Sequence, residues 1–388
     1  MLQGSCETVT HTDLDGMITM VCTAAKTGLM KCYGDGKNTL PYTMKLNRKG
    51  EPEPEGFSIR YAAISQIGIA KWLKCHQEDR ICLPDIWARI AENFNRITHI
   101  GDFALVLWAA VEIGAENCEI FAKALADNWS HQSKLCNAVE LGWVVQACTL
   151  TIQKHNGLGF IINPVLEEAH AQLVGLFSAQ HSLFWRHDRP NLRESISRKI
   201  ACFADQVYPV LALAAYGIYF NDRQSIEYAA EATEQICRLQ GPQGQWWWHY
   251  DVLEGKICEE YPVFSVHQDA MAPMAILAGD GASGQDHSRQ IELGLRWLFG
   301  ANEPVRNLVH SQKGVIWRDV ERCEPFKLSR KLRSLFAVAK LSGLHRLTGK
   351  LVRIFRINTE CRPYHLGWIL YAWADFGAGR KLNAKGAT

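Results

Sequence analysis

The stretch Tyr261-Pro262-Val263-Phe264-Ser265-Val266-His267-Gln268-Asp269 gathers side chains able to bind and move protons. Ser265, His267, Gln268 and Asp269 interrupt the start of an otherwise apolar run, and burying each without a partner would cost about 1–3 kcal/mol. They are expected to face a wet cavity. Just upstream lies Trp246-Trp247-Trp248-His249-Tyr250-Asp251. Three consecutive Trp rings cannot all enter one core, so at least one of them, Trp247 foremost, is expected at a cleft. Flat exposed rings bind sugar faces or shelter cations; the competing reading has them plugging a gap between two hairpins. Glycoside hydrolysis needs two carboxylates, one to protonate the leaving oxygen and one to activate water or attack. Asp269 and Asp251 are the preferred pair, with Asp102 and Asp205 in reserve. Elimination or epimerisation at a uronate would instead use His267 or Tyr250 as base and Arg318 or Arg362 to hold a carboxylate. Trp247, Trp248, His249, Gln268, Arg318, Arg362 and His365 are the candidate substrate contacts.

Helical periodicity dominates the elements that must position these groups, while strand-like alternation is nearly absent. About a dozen helices are predicted, among them segments near 58–75, 101–114, 136–155, 198–220, 263–278, 329–342 and 359–377. Breakers separate them: Asn163-Pro164, Arg189-Pro190, Gln240 to Gly244 and Gly279 to Asp286 carry turn chemistry. Six segments resemble one another, each beginning polar and becoming apolar: Arg60 to Trp72, Gly101 to Gly114, Val139 to Leu150, Ala204 to Gly217, Ser265 to Asp280 and Arg362 to Gly377. A helix apolar nearly all round must be covered on both sides. The six therefore form an inner ring, with amphipathic helices such as Arg223 to Leu239 outside, in one all-α domain over residues 1–388, a closed α/α barrel or toroid. An open solenoid competes and should show polar capping repeats. In the barrel the polar starts converge on one mouth, bringing together Arg60, Asp102, Glu140, Asp205, His267, Gln268, Asp269, Tyr364 and His365. The segment Gly314 to Arg322 is expected as an extended wall or lid with Trp317, Arg318 and Asp319 exposed.

Gln240-x-x-x-Gly244-x-Trp246 resembles the QW repeat of the terpenoid cyclase and protein prenyltransferase superfamily. That resemblance implies an α/α toroid in which the Gln ties helix ends together. A degenerate echo, Gln153-x-x-x-Gly157-x-Gly159-Phe160, lacks the Trp. The same region resembles loops of six-hairpin glycosidase-like toroids, whose aromatics line a sugar cleft. The cyclase acid motif has only a truncated counterpart, Asp13-Leu14-Asp15-Gly16. The alternatives to a carbohydrate-active enzyme are an isoprenoid-handling toroid with a deep dry cavity and a non-catalytic scaffold with a filled mouth.

Other classes are disfavoured. The chain has 388 residues, and 42 Lys+Arg against 40 Asp+Glu leave a formal charge of +2, without the basic block of a nucleic-acid binder. Its 13 cysteines include no C-x-x-C pair, which reads as a reducing, cytoplasmic setting rather than a disulfide scaffold. No apolar run reaches the ~18 residues of a membrane span. Gly279 to Gly284 matches a dinucleotide fingerprint without the preceding strand, so it is expected as a plain loop. Cys361, His365 and Asp269 make a weak zinc set that chance explains. The expectation is no metal, no cofactor, and a small-molecule or glycan substrate.

Overall fold

All six self-similar segments become helices whose starts lie at one end of a ring. The computed structural model describes residues 12–34, 39–81, 83–188, 198–323 and 354–377. Among these, twelve α-helices occur: α1 (Leu14–Tyr33), α2 (Ile59–Cys75), α3 (Trp87–Glu92), α4 (Ile100–Ile113), α5 (Cys118–Gln132), α6 (Ala138–Lys154), α7 (Gly159–Gly175), α8 (Ala204–Phe220), α9 (Arg223–Arg238), α10 (Ala272–Ser283), α11 (Ser288–Leu298) and α12 (Pro363–Ala372). A π-helical turn, His267–Met271, runs directly into α10. The inner helices α2, α4, α6, α8, α10 with its π turn, and α12 pack each on the next, and α12 returns to α2. The ring is closed: an α/α toroid. The amphipathic α1, α5, α7, α9 and α11 cover it from outside.

Local chemistry sets the ends. Ser58 accepts the Tyr61 N–H at the start of α2, and Asn137 with Glu140 forms a reciprocal capping box on α6. Close approach is allowed by glycine: a Cβ on Gly68 would run into the Gly367 backbone, so α2 and α12 meet main chain to main chain. Leu105, Trp108, Val144, Leu213, Ile276 and Trp368, one or more from most of the inner helices, are fully buried. Each inner helix is thus apolar on both flanks, as the sequence pattern requires.

Strands are more frequent than predicted. They pair two to four residues at a time, too briefly to show alternation, and lie in connections leading into inner helices. Thr43–Leu46 pairs with Pro52–Glu55 before α2. Ile200–Cys202, His249–Asp251 and Lys256–Glu259 form one sheet, and Val263–Phe264, Asp319–Arg322 and Phe355–Asn358 another. Other expectations also need correction. The helix α7 runs through Pro164, its sixth residue, where the ring removes the hydrogen bond to the Phe160 carbonyl without ending the helix. Gly279 to Ser283 is the last part of α10, because Gly279 lets the helix press on Thr233; the turn begins only at Gly284, at φ +77°. Trp317 and Asp319 are buried, paired into strands and their flanks, and only Arg318 is partly open. The predicted helix at 329–342 and the Arg189-Pro190 break lie outside the described residues.

The Gln240 segment forms a brace. Gln240 Nε2 donates to Gly244 O (3.1 Å) and to Gln290 O on α11 (2.9 Å). Gly244 stands at φ +94°, where any side chain would also strike the Leu293 carbonyl. Trp246 is fully buried with its ring 5.7 Å from that of Phe203. At the Gln153 echo, by contrast, Phe160 is 77% exposed and braces nothing.

Beside the brace, His287 joins three helices: Nδ1 bonds Asp280 (2.6 Å) on α10 and Nε2 bonds Glu234 (3.0 Å) on α9, at the start of α11. Its hydrogen bond to Asp280 raises its pKa from the ordinary 6.5 to about 9, against the opposing effect of burial. A pKa raised by folding stabilises fully below 6.5, and that gain is lost as pH climbs through 9. The melting-temperature advantage of wild type over His287→Gln should therefore be greatest near neutral pH or below and shrink above pH 9. A pH-independent difference would refute the ion-pair account.

Candidate active site

The inner-helix starts bring one guanidinium onto a carboxylate, with a second carboxylate near enough to act on it. Arg60, on α2, donates from Nε to Asp102 Oδ1 on α4 at 2.5 Å. Glu140 follows on α6, and its charge also acts on Arg60; Gly101, beside Asp102, leaves room for the Glu140 and Trp143 side chains against the α4 backbone. Burial opposes the Arg60 charge, but the Asp102 hydrogen bond and both carboxylates outweigh it and raise its pKa. Glu140 Oε2 is engaged by the Asn137 N–H, while Oε1 and Asp102 Oδ2 have no hydrogen-bond partner among the described residues. A cleft of about 510 Å³ opens here, lined by Tyr42, Phe57, Arg60, Tyr61, His99 and Asp102.

An aromatic and cationic wall stands beside it. Tyr42 stacks on Tyr61 (5.0 Å, 9° between planes), and Tyr61 meets Tyr364 at 4.5 Å. The Arg362 guanidinium lies 4.0 Å from the Tyr42 ring centre. Arg362 is only 7% exposed; Nη2 donates to Glu360 (2.6 Å), yet Nε and Nη1 have no partner among the described residues. Arg318 shares the same Glu360 carboxylate and faces Phe264. Buried donors are almost always satisfied, so these two Arg362 groups are an exception at this mouth. Burial favours the neutral Tyr42 phenol, but the Arg362 charge prevails and lowers its pKa.

The expected residues divide. Asp102, Arg318 and Arg362 border this mouth, and Trp248 is half-buried against His249 (4.5 Å) and Phe264 (5.1 Å). Asp269 does not: it is 0% exposed, Oδ1 bonds His365 Nε2 (2.6 Å), and its charge is felt by Cys22 on α1 and by Cys361, on the outward side of the ring. Burial raises its pKa and His365 only partly offsets this. Asp251 caps its own turn, accepting the Leu253 and Glu254 N–H groups. Asp205 accepts the Cys202 N–H beside its own helix start (2.8 Å), and burial raises its pKa. Tyr250 is fully buried beside Phe203, and Trp247 packs against Tyr261. Gln268 bridges the Trp246 N–H and the Phe264 carbonyl. His249 pairs with Glu259 (2.8 Å). His267 sits between Phe203 and Phe264, where burial lowers its pKa to about 3 and Nδ1–H points at Trp246 O. The preferred pair Asp269 and Asp251 is thereby committed to structure, and the bases His267 and Tyr250 lie among aromatic rings. Sequence reasoning missed Tyr42 and Tyr61; the adjacency of Tyr61 to Arg60 at an inner-helix start was the available signal, whereas Tyr42 sits in an irregular connection that carries none.

Among the described residues no cluster of three His, Cys, Asp or Glu is placed to hold a metal, and no helix is long and apolar enough to cross a membrane.

No family model matches the chain, and no curated protein matches it in sequence. Solved structures do match in fold. The unsaturated glucuronyl hydrolase of a Bacillus species, responsible for glycosaminoglycan degradation, superposes with a TM-score of 0.55 over 93% of this chain and 96% of its own, at 10% identity. A possible member of the GH105 family from Salmonella enterica gives 0.57 over 94% and 95%, at 10% identity. An unsaturated glucuronyl hydrolase from Streptococcus agalactiae gives 0.54 over 93% and 90%, at 9% identity. At such identity the likeness is one of fold.

Proposed function

We propose that the chain is a carbohydrate-active enzyme acting on uronate-type sugars, with Asp102 and Glu140 as its carboxylate pair. The observation that carries this is the arrangement at the mouth: Asp102, in an aromatic cleft, holds Arg60, Glu140 on the next inner helix is close enough for its charge to act on Arg60, each carboxylate keeps a free oxygen, and a buried guanidinium with two unsatisfied N–H groups lies beside them. A sugar carboxylate fits Arg362 and Arg318, whose planar forks match it, while tyrosine rings cover a sugar face. In hydrolysis Glu140 protonates the leaving oxygen as the glycosidic bond breaks, and Asp102 takes a proton from the water whose oxygen bonds the sugar carbon. The toroid hydrolases of similar fold act on unsaturated glucuronyl sugars, which supports testing that class first.

A second reading rests on Tyr42. A phenol acidified by an adjacent arginine is suited to abstract the proton next to a uronate carboxylate, as elimination or epimerisation requires. The purified protein should be assayed on unsaturated and saturated glucuronyl disaccharides. For a hydrolase, Asp102→Asn and Glu140→Gln should each cut turnover at least ~100-fold while Tyr42→Phe changes it a few-fold. The opposite ranking supports elimination or epimerisation. Full turnover in both carboxylate variants, with normal melting, would remove the pair from the mechanism.

A further inference from the structure

We infer that the opposite end of the barrel holds a second binding site, for an uncharged molecule with a hydrocarbon body and a hydroxyl group. It is independent of the sugar reading, since it lies where the inner helices end. There α2, α6, α8, α10 and α12 surround a cavity of about 810 Å³. Leu211, Ala214, Met274, Leu277, Ala278 and Phe376 supply apolar walls, and the two alanines leave the space unfilled. Its size and lining fall within the range of small-molecule pockets, which are mostly apolar with a few placed polar groups.

One such group is Gln146 on α6. It lines the cavity, is 94% buried by its 6% exposure, and its Oε1 has no hydrogen-bond partner among the described residues. An acceptor so buried is costly unless a donor reaches it. A hydroxyl is that donor. Lys71 is held against α12, its Nζ donating to Tyr371 O (3.0 Å) and lying 3.8 Å from the Tyr371 ring centre, and having only donors it cannot accept from a hydroxyl as Gln146 Oε1 can. Charge argues for a neutral ligand. The charges at the lining are already engaged: Asp280 with His287, Asp286 with the Ser288 N–H, and Asp375 with the Lys71 charge, which leaves no unbalanced charge to select an ion.

Decan-1-ol and its methyl ether, which keeps the chain but loses the donor, are the probes; binding is read by calorimetry and by mass spectrometry of the intact complex. The full-length protein should bind the alcohol saturably and about 3- to 10-fold more tightly than the ether, the worth of one hydrogen bond. Gln146→Leu should equalise the two while leaving the melting temperature unchanged or higher. Ala278→Trp, or the milder Ala214→Leu if the former melts early, should abolish binding of both. Equal affinity of the wild type for the two probes, no saturable binding, or binding that survives the filled cavity would each overturn the inference. Sugar turnover is read separately on the same variants and is expected to be unchanged.

Discussion

Trp246→Ala should lower stability by about 3–5 kcal/mol, seen as an earlier thermal or denaturant transition with the sugar cleft still intact in the remaining folded protein. The size follows from deleting a fully buried indole whose neighbours cannot collapse into the space. Phe203 on one side anchors the start of α8, and Gly294 on the other belongs to α11, held in place by Gln240. A ring bounded by rigid helices leaves most of its volume as cavity. Trp246→Phe should recover about half of the loss, since it restores a stacked ring without the second one. An unchanged transition midpoint in Trp246→Ala, together with lost sugar binding, would instead make Trp246 a cleft residue.

The second large effect concerns Asp269 and His365. His365→Leu should destabilise by about 3–5 kcal/mol, because it strips a fully buried carboxylate of its strong partner. Asp269 Oδ2 already lacks a partner among the described residues, so nothing nearby compensates. Asp269→Asn should be much milder, near 1 kcal/mol, since the amide keeps an oxygen for His365 and carries no charge for burial to oppose. Turnover of Asp269→Asn should stay within a few-fold of wild type. A 100-fold loss of turnover with normal stability would restore this residue to the mechanism.

The ring itself was legible because each inner helix carries its own signature: a polar start for the mouth, then apolar flanks for two neighbours. Arg60 to Trp72 and Arg362 to Gly377 share that pattern although only the fold makes them adjacent. The mouth residues Arg60, Asp102 and Glu140 follow from the same logic, since the starts of parallel neighbours must converge. What the pattern could not show is the phase of a helix around its axis. Asp269 was expected to face the cavity, but it lies in a π turn, whose extra residue rotates the side chains that follow relative to an α-helix. Asp251 and Asp205 illustrate a second ambiguity: a carboxylate near a turn or helix start serves as cap or catalyst with the same sequence signature. Arg362 escapes it only because its unsatisfied N–H groups are visible in three dimensions.

Main-chain contact between Gly68 and Gly367 has a consequence for how the molecule comes into being. Lys71 and Tyr371, bonded across the same seam, are 300 positions apart. The paired inner and outer helices can each form from nearby chain, but the seam cannot be sealed until α12 has been synthesised and has found α2. The entropic cost of so long a closure rises only logarithmically with length, so it is a question of time more than of final stability. Until then α2 presents an uncovered apolar flank, and the nascent protein is a horseshoe with two sticky ends. A second horseshoe offers those ends the same complementary surfaces. Slow translation or overcrowding during expression should therefore favour helix-exchanged assemblies over random aggregates, with the seam helix as the exchanged part.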